Sequence, residues 1–112
     1  AITNWYGIVP QEGYFENKDD HAGELETSVM MYYHPELVNL EEAGEGTSKP
    51  FALSSLNAQI AWLPRYWSKV SADTGIGDPR KSTPEKGERY AKAVIEKLAL
   101  LFTEIGSKEV YL

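Results

Sequence analysis

The sequence contains no cysteine, and this absence excludes two kinds of site. Without thiols the chain can form neither a disulfide framework nor a thiolate metal site. Histidine is also scarce, with 2 residues in 112. Because the sequence shows no cluster at metal-ligand spacing either, we expect no complete two-metal site from these residues alone.

Basic residues and long apolar runs are sparse as well. There are 11 lysines and arginines against 17 acidic residues, for a net charge of -6, and no basic stripe forms. Nucleic-acid binding is therefore disfavoured, since phosphates require clustered Lys and Arg. No apolar run approaches the roughly 20 residues of a bilayer span, so we expect no membrane partner. Residues 1–5 lack the basic leader of a signal peptide, and a cytoplasmic protein is the default expectation.

The remaining composition fits one folded unit or part of one. The hydrophobic fraction of 42% argues against disorder. The clearest predicted element is a last helix that begins after Thr83, takes Pro84 at its first position and stops at Gly106. Its apolar residues keep helical spacing for four turns: Ala91, Val94, Ile95, Leu98, Leu101, Phe102 and Ile105. One apolar face is typical of an outer-layer helix of an α/β protein.

Four further elements are predicted upstream. A helix is expected over residues 23–34, where Pro35 prevents its continuation. Residues 3–9 and 60–63 are strand candidates because they are rich in β-branched and aromatic side chains. Residues 74–79 are expected to form a tight turn. Two helices and two short strands are too few for a complete α/β layer, so the chain is expected to be part of a larger α/β domain.

The densest polar cluster, residues 18–28, leads directly into the first predicted helix. It contains His21, and a histidine at a helix entrance is a residue type that can exchange protons during catalysis. Glu26 is expected to project from a partly buried face, where a carboxylate requires a partner. In the structural alternative, Asp19 or Asp20 caps the helix and the glutamates favour its N-terminal dipole. The residues alone leave both interpretations open.

Three ordered segments carry a family resemblance. Residues 21–38, HAGELETSVMMYYHPELV, resemble the His-Ala-Gly-x-x-Glu-Thr-Ser segment of the creatininase (creatinine amidohydrolase) family. Residues 63–68, LPRYWS, look like the family's short aromatic strand. Residues 75–79, GIGDP, followed by TPEKG at 83–87, look like its Gly-Asp-Pro turn and final helix. The resemblance extends over residues 17–105.

The resemblance implies a fold and a set of roles. The fold would be the C-terminal part of a three-layer αβα domain with a mostly parallel sheet, on which the last helix packs. Residues 1–112 would be one segment of that domain, lacking its N-terminal metal-binding half. By position, His21 matches the family's catalytic acid–base histidine, Glu26 matches the glutamate of its Glu-Thr-Ser triplet, and Asp20 aligns with a substrate-contacting position.

The resemblance also implies a reaction and partners. The complete enzyme would be a metal-dependent hydrolase of a cyclic amide or related C–N substrate, using divalent Zn, Mn or Fe bound mainly outside this chain. A homo-oligomer, often a hexamer, is expected. Creatininases proper place a tryptophan where this chain has Asn17, which disfavours creatinine as the substrate. The alternatives are a non-catalytic binding or assembly module, a family hydrolase acting on a cyclic ketone of sugar or inositol type, and an unrelated acidic domain.

Overall fold

The computed structural model of the protein describes residues 1–111, which form four α-helices and three 3-10 helices. The α-helices are α1 (Glu24–Tyr33), α2 (Ser54–Asn57), α3 (Trp67–Val70) and α4 (Pro84–Ser107). The 3-10 helices are Trp5–Gly7, Pro35–Leu37 and Leu40–Glu42. The two long predicted helices are therefore confirmed, with ends that differ from the prediction by about one residue, within the normal variation of helix assignment.

The two long helices pack directly against each other. Helix α4 starts with Thr83, whose hydroxyl accepts a hydrogen bond from the Lys86 N–H at 3.2 Å. One turn later Gly87 lies so close to α1 that an added Cβ would sit 1.9 Å from the Ser28 carbonyl oxygen. A residue without a side chain is required at this crossing. It brings the N-terminal ends of both helices together.

Tyr90 of α4 is the centre of the small core. Its side chain is fully buried beside Leu25, Val94 and Val9. Its hydroxyl donates to the Val9 carbonyl oxygen at 2.7 Å and lies 3.1 Å from that of Tyr6. Three aromatic rings contact it edge-on, those of Trp5, Tyr14 and Phe15. This packing joins the N-terminal segment to α4.

The predicted α/β fold is wrong for the described residues. Residues 1–111 contain no β-strand, and their only ladder-type pairings are isolated bridges joining Glu12 to Phe15, His21 to Ile76 and Ser48 to Ser71. A mostly parallel sheet and an αβα layering are therefore absent from this part of the chain. Helix α4, which was expected to cover a sheet, packs against α1 instead.

Both strand predictions failed for local reasons. In residues 3–9 the backbone turns into a 3-10 helix, and carbonyl oxygens face the Tyr90 hydroxyl rather than a neighbouring strand. Residues 60–63 follow Gln59, whose φ of 58° reverses the chain, and precede Pro64. Strand propensity mainly reflects packing against neighbours, and neither segment has a neighbouring strand here. In the segment predicted to be a tight turn, residues 74–79, the backbone bends at Thr74 and Gly77, both with positive φ, and Ile76 between them forms the bridge to His21.

Much apolar surface stays exposed beyond the core. From its middle to its C-terminal end, α4 presents large apolar side chains to solvent: Ile95, Leu100, Phe102 and Ile105. The radius of gyration is 16.8 Å, whereas a compact domain of about 100 residues has roughly 13 Å. Within residues 1–111, none of the helices has the length and apolarity that crossing a bilayer requires.

Candidate functional site

The His21 segment is held in place by the loop that follows α3. The N–H groups of Asp20 and His21 both donate to the Ile76 carbonyl oxygen, at 3.0 and 2.9 Å, and the Ile76 N–H donates back to His21 at 2.8 Å. The loop itself is fixed by Gly77, whose N–H donates to the Gly46 carbonyl at 2.9 Å. Two segments more than 50 residues apart in sequence therefore meet at the entrance of α1.

A strained residue follows the histidine. Ala22 has a φ of 51°, in the left-handed region that residues with a Cβ rarely adopt. Non-glycine residues in such conformations concentrate at functional sites, because the surrounding structure must hold them there. Here the Ala22 N–H donates to Oε2 of Glu26 at 2.6 Å, which ties the turn to the first turn of α1.

Asp19 caps α1, as the structural interpretation of the cluster predicted. Its two carboxylate oxygens accept from the N–H groups of Gly23, at 3.0 Å, and Glu26, at 2.8 Å. Burial raises the pKa of the Asp19 carboxyl, and the nearby Glu26 charge adds to the increase, while the two N–H donors oppose it. The cap and the candidate chemistry therefore occupy the same short segment.

The His21 imidazole lies between Glu26 and Trp67. Its side chain is 53% exposed, and Nδ1 lies 3.8 Å from Oε2 of Glu26. That distance is an electrostatic contact rather than a hydrogen bond. The ring meets Trp67 edge-on, with 5.0 Å between ring centroids and an interplanar angle of 86°. The two predicted catalytic residues are thus neighbours, and Nε2 is the ring nitrogen that Glu26 does not face.

Asp20 forms the charged part of the same cluster. Its two carboxylate oxygens accept from both terminal nitrogens of Arg65, each at 2.8 Å. This paired hydrogen bonding lowers the pKa of Asp20 below its usual value. Contact between Asp20 and a substrate stays a prediction, because both oxygens point at Arg65 in this structure.

Buried Glu24 was missed by the sequence analysis, which assigned it only to the helix dipole. Its side chain is 0% exposed, and Oε1 accepts from Lys86 Nζ at 2.6 Å. Oε2 accepts from the N–H groups of Glu16 and Asn17, at 3.0 and 2.6 Å. Lys86 lies 62 residues from Glu24 in sequence, and the other two donors are backbone N–H groups. No local pattern of side chains could therefore have revealed the Glu24–Lys86 pair. Glu24 is structural.

The chain's own residues do not fit a metal centre. Within residues 1–111, no three His, Asp or Glu side chains converge on one point. Asp19 faces backbone N–H groups, Asp20 faces Arg65, and Glu24 faces Lys86 and backbone. Within the 18–28 cluster, His21 and Glu26 remain close together, and two ligands are fewer than a stable site uses.

Two open clefts border the cluster on either side of the α1 entrance. The larger, of about 850 Å³, includes Asp19, Asp20 and Ile76 in its wall. The second, of about 680 Å³, is more apolar and includes Ala22 and Glu26. The His21 imidazole is in the wall of neither cleft.

Comparisons with known proteins agree with the resemblance seen in residues 17–105. The family model for creatininase, creatinine amidohydrolase, matches residues 4–102. Among solved structures, the chain is similar to a proposed creatinine amidohydrolase from Bacteroides fragilis, with 59% sequence identity and a TM-score of 0.93. That match covers 98% of this chain and 44% of the other, so the chain spans less than half of the relative's length. No curated protein matches the chain. With nearly all of its residues matched, the chain belongs to the creatininase family.

Proposed function

We propose that this chain supplies the acid–base histidine of a creatininase-family hydrolase that cleaves a C–N bond in a cyclic amide or formamide. The observation that carries the proposal is the placement of His21 on a strained turn, between Trp67 and the Glu26 carboxylate. A half-exposed imidazole with one ring nitrogen facing a carboxylate has the arrangement of a general acid or base.

The chemistry requires a proton at the departing nitrogen. Water adds to the carbonyl carbon, the C–N bond breaks, and the products are a carboxylate and an amine. In the proposed mechanism His21 accepts a proton from the attacking water and donates one to the leaving nitrogen through Nε2. The Glu26 charge, 3.8 Å from Nδ1, favours the imidazolium that exists between these two transfers.

The decisive experiment replaces His21 in the complete enzyme. His21→Ala should lower kcat by about 10²–10⁴-fold, the usual contribution of a general acid–base group. Its unfolding midpoint should not move, because the side chain is half-exposed and its neighbours are fixed by backbone contacts. His34→Ala is the matched control, since His34 is 59% exposed and also faces a carboxylate, Glu36 at 3.2 Å. Near-normal turnover of His21→Ala would refute the assigned role.

Glu26 has two tasks that its variants can separate. Its Oε2 accepts the Ala22 N–H and also faces His21. Glu26→Gln keeps an oxygen for the N–H and removes the charge, so we expect lower kcat with little loss of stability. Glu26→Ala removes both and should lower stability as well, by about 1 kcal/mol for the lost helix-end hydrogen bond. Equal kcat in Glu26→Gln and the wild type would remove the charge from the mechanism.

A substrate screen distinguishes the two hydrolytic candidates. Cyclic amides and formamides release an amine on hydrolysis, whereas a cyclic ketone of sugar or inositol type releases acid without amine. Parallel assays of proton and amine release on both substrate classes therefore report which bond breaks. The absence of turnover on every class, with binding retained, would favour the non-catalytic binding or assembly module.

The remaining expectations concern partners. We propose that divalent Zn, Mn or Fe in the complete enzyme is held mainly by ligands outside residues 1–111, in line with the engaged carboxylates around His21. The exposed apolar half of α4 supports a covering partner, either further family sequence or another subunit. Native mass spectrometry of the purified, metal-replete protein tests the metal content and a homo-oligomer, with a hexamer expected. A cytoplasmic location stays a prediction.

A further inference from the structure

Trp67 contacts three groups at once in the His21 cluster. Its ring meets His21 edge-on at 5.0 Å between centroids, and the Arg65 guanidinium lies over the ring at 5.0 Å. Its indole N–H donates to the Thr74 carbonyl oxygen at 2.8 Å. An aromatic side chain with a cation on its face and a hydrogen bond at its edge has little freedom to change rotamer.

Arg65 is fixed in turn by the residue that precedes His21. The planar guanidinium makes two parallel hydrogen bonds to Asp20, a geometry that sets its orientation as well as its position. The contacts therefore form a closed cycle of four residues: His21 to Trp67, Trp67 to Arg65, Arg65 to Asp20, and Asp20 back to His21 along the backbone. Moving one member of this cycle disturbs the contacts of its two neighbours.

Two residues next to this cycle of contacts have strained backbone conformations. Ala22, next to His21, has a φ of 51°, and Thr74, which accepts the Trp67 indole N–H, has a φ of 76°. Both are residues with a Cβ held in the left-handed region, and such strain persists only where surrounding contacts impose it. The cycle of contacts thus connects the two strained residues to the His21 imidazole.

We propose that Trp67 is a positioning residue for His21 and that Arg65 locks Trp67 in place. This inference rests on the proposed acid–base role of His21. The imidazole is half-exposed, and its contact with Glu26 at 3.8 Å is too long to fix the ring by a hydrogen bond. The Trp67 edge contact is then what holds the ring orientation needed for proton transfer.

The test compares two Trp67 variants in the complete enzyme. Trp67→Leu removes the aromatic contact and should lower kcat by about 10–100-fold while KM stays nearly constant, because a misplaced catalytic group costs transition-state stabilisation. Trp67→Phe keeps an aromatic ring against His21 and should recover kcat to within about threefold of wild type. A rise in KM with unchanged kcat in Trp67→Leu would overturn the proposal, because it would show a loss of substrate binding instead.

The lock is tested at Arg65, two residues before α3. Arg65→Lys keeps the charge but loses the paired hydrogen bonds to Asp20, so it should lower kcat in the same direction as Trp67→Leu. Lys69→Met is the matched control, since the Lys69 ammonium lies over the ring of Tyr66, at 5.6 Å, rather than over that of Trp67. If Trp67→Leu fails to fold, Arg65→Lys and Trp67→Phe decide: wild-type kcat in Arg65→Lys would overturn the lock.

A double-mutant cycle separates this inference from the proposed function. If Trp67 acts through His21, Trp67→Leu should have no further effect on kcat in a His21→Ala background. Additive losses would overturn the positioning role while leaving the acid–base role intact. Wild-type kcat in His21→Ala would instead refute the proposed function. The His21 ring-proton resonances, shifted by the Trp67 ring current, should move in Trp67→Leu and stay in Lys69→Met; an unmoved resonance in Trp67→Leu would overturn the contact.

Discussion

Lys86→Met should destabilise the protein by about 3 kcal/mol, because it leaves a buried charge without its partner. Glu24 is fully buried between the starts of α1 and α4. One carboxylate oxygen accepts from Lys86 Nζ at 2.6 Å, and the other accepts from the N–H groups of Glu16 and Asn17. Glu24 also raises the pKa of Lys86 through the hydrogen bond and its charge, so the lysine stays charged near neutral pH.

The magnitude follows from what remains after the change. Removing one partner of a buried ion pair typically costs 3–5 kcal/mol, against a total folding stability of about 5–15 kcal/mol. Two features place this case at the low end. The Lys86 side chain is 22% exposed, so water can approach the vacated position. The two backbone N–H donors to Glu24 also stay in place and continue to stabilise its charge.

A second substitution tests the pairing itself. Glu24→Gln should also destabilise, because one amide group cannot accept from both Lys86 and the backbone N–H donors. In the double variant Glu24→Gln, Lys86→Met, the amide oxygen can face the backbone while no lysine remains to be satisfied. The double variant should therefore cost less than the sum of the single variants, with a coupling of about 1–3 kcal/mol.

Urea unfolding of the complete protein, followed by tryptophan fluorescence, measures these differences as shifts in midpoint at constant slope. Lys92→Met is the matched control. Lys92 lies on the same helix and reaches Glu88 at the same 2.6 Å, but its side chain is 65% exposed. We expect no shift in midpoint for that variant. Equal effects of Lys86→Met and Lys92→Met would refute the argument from burial.

Two further predictions concern packing and pH. Gly87→Ala should destabilise the protein by about 1–3 kcal/mol because the added Cβ meets the Ser28 carbonyl. Gly106→Ala, with open space around it in the same helix, should instead stabilise the protein by about 0.5–1 kcal/mol. A urea midpoint of Gly87→Ala equal to or above that of Gly106→Ala would contradict this. Hydrogen bonds from Arg80 lower the pKa of Asp78 from 3.8 to about 2, so its contribution to stability is complete above pH 3.8 and is lost as the pH falls through about 2. Asp78→Asn should therefore flatten the dependence of the unfolding midpoint on pH between about 4 and 2, and an unchanged profile would contradict the assignment.

The sequence predicted the two long helices because their signals are local. Apolar spacing, the Thr83 cap and Pro35 all act within a few residues of the helix that they define. The strand predictions over residues 3–9 and 60–63 rested on propensity, which needs a partner strand to take effect. Such a partner is a property of the whole fold, and a segment's own composition cannot show that it is missing.

The candidate site divides in the same way. His21 and Glu26 could be chosen from residue type and family resemblance, and they are neighbours in the structure. Arg65 and Trp67 were not predicted as members, because 45 residues separate Arg65 from Asp20 and nothing local links them. Trp67 is only partly buried, and its contact with the His21 ring gives it a place in the site.

The structural and catalytic interpretations of the 18–28 cluster turn out to be compatible. Asp19 satisfies the N–H groups of Gly23 and Glu26, so the helix entrance has a cap that does not depend on His21. Glu26 then bonds the Ala22 N–H with the same oxygen that faces the imidazole. Either glutamine or glutamate at this position offers an oxygen to the Ala22 N–H. Glu26→Gln removes the charge, which faces His21 and also acts on Asp19 and the helix N-terminus. A kinetic difference between Glu26→Gln and wild type that exceeds any change in stability therefore measures the catalytic part of a residue whose hydrogen bond is kept.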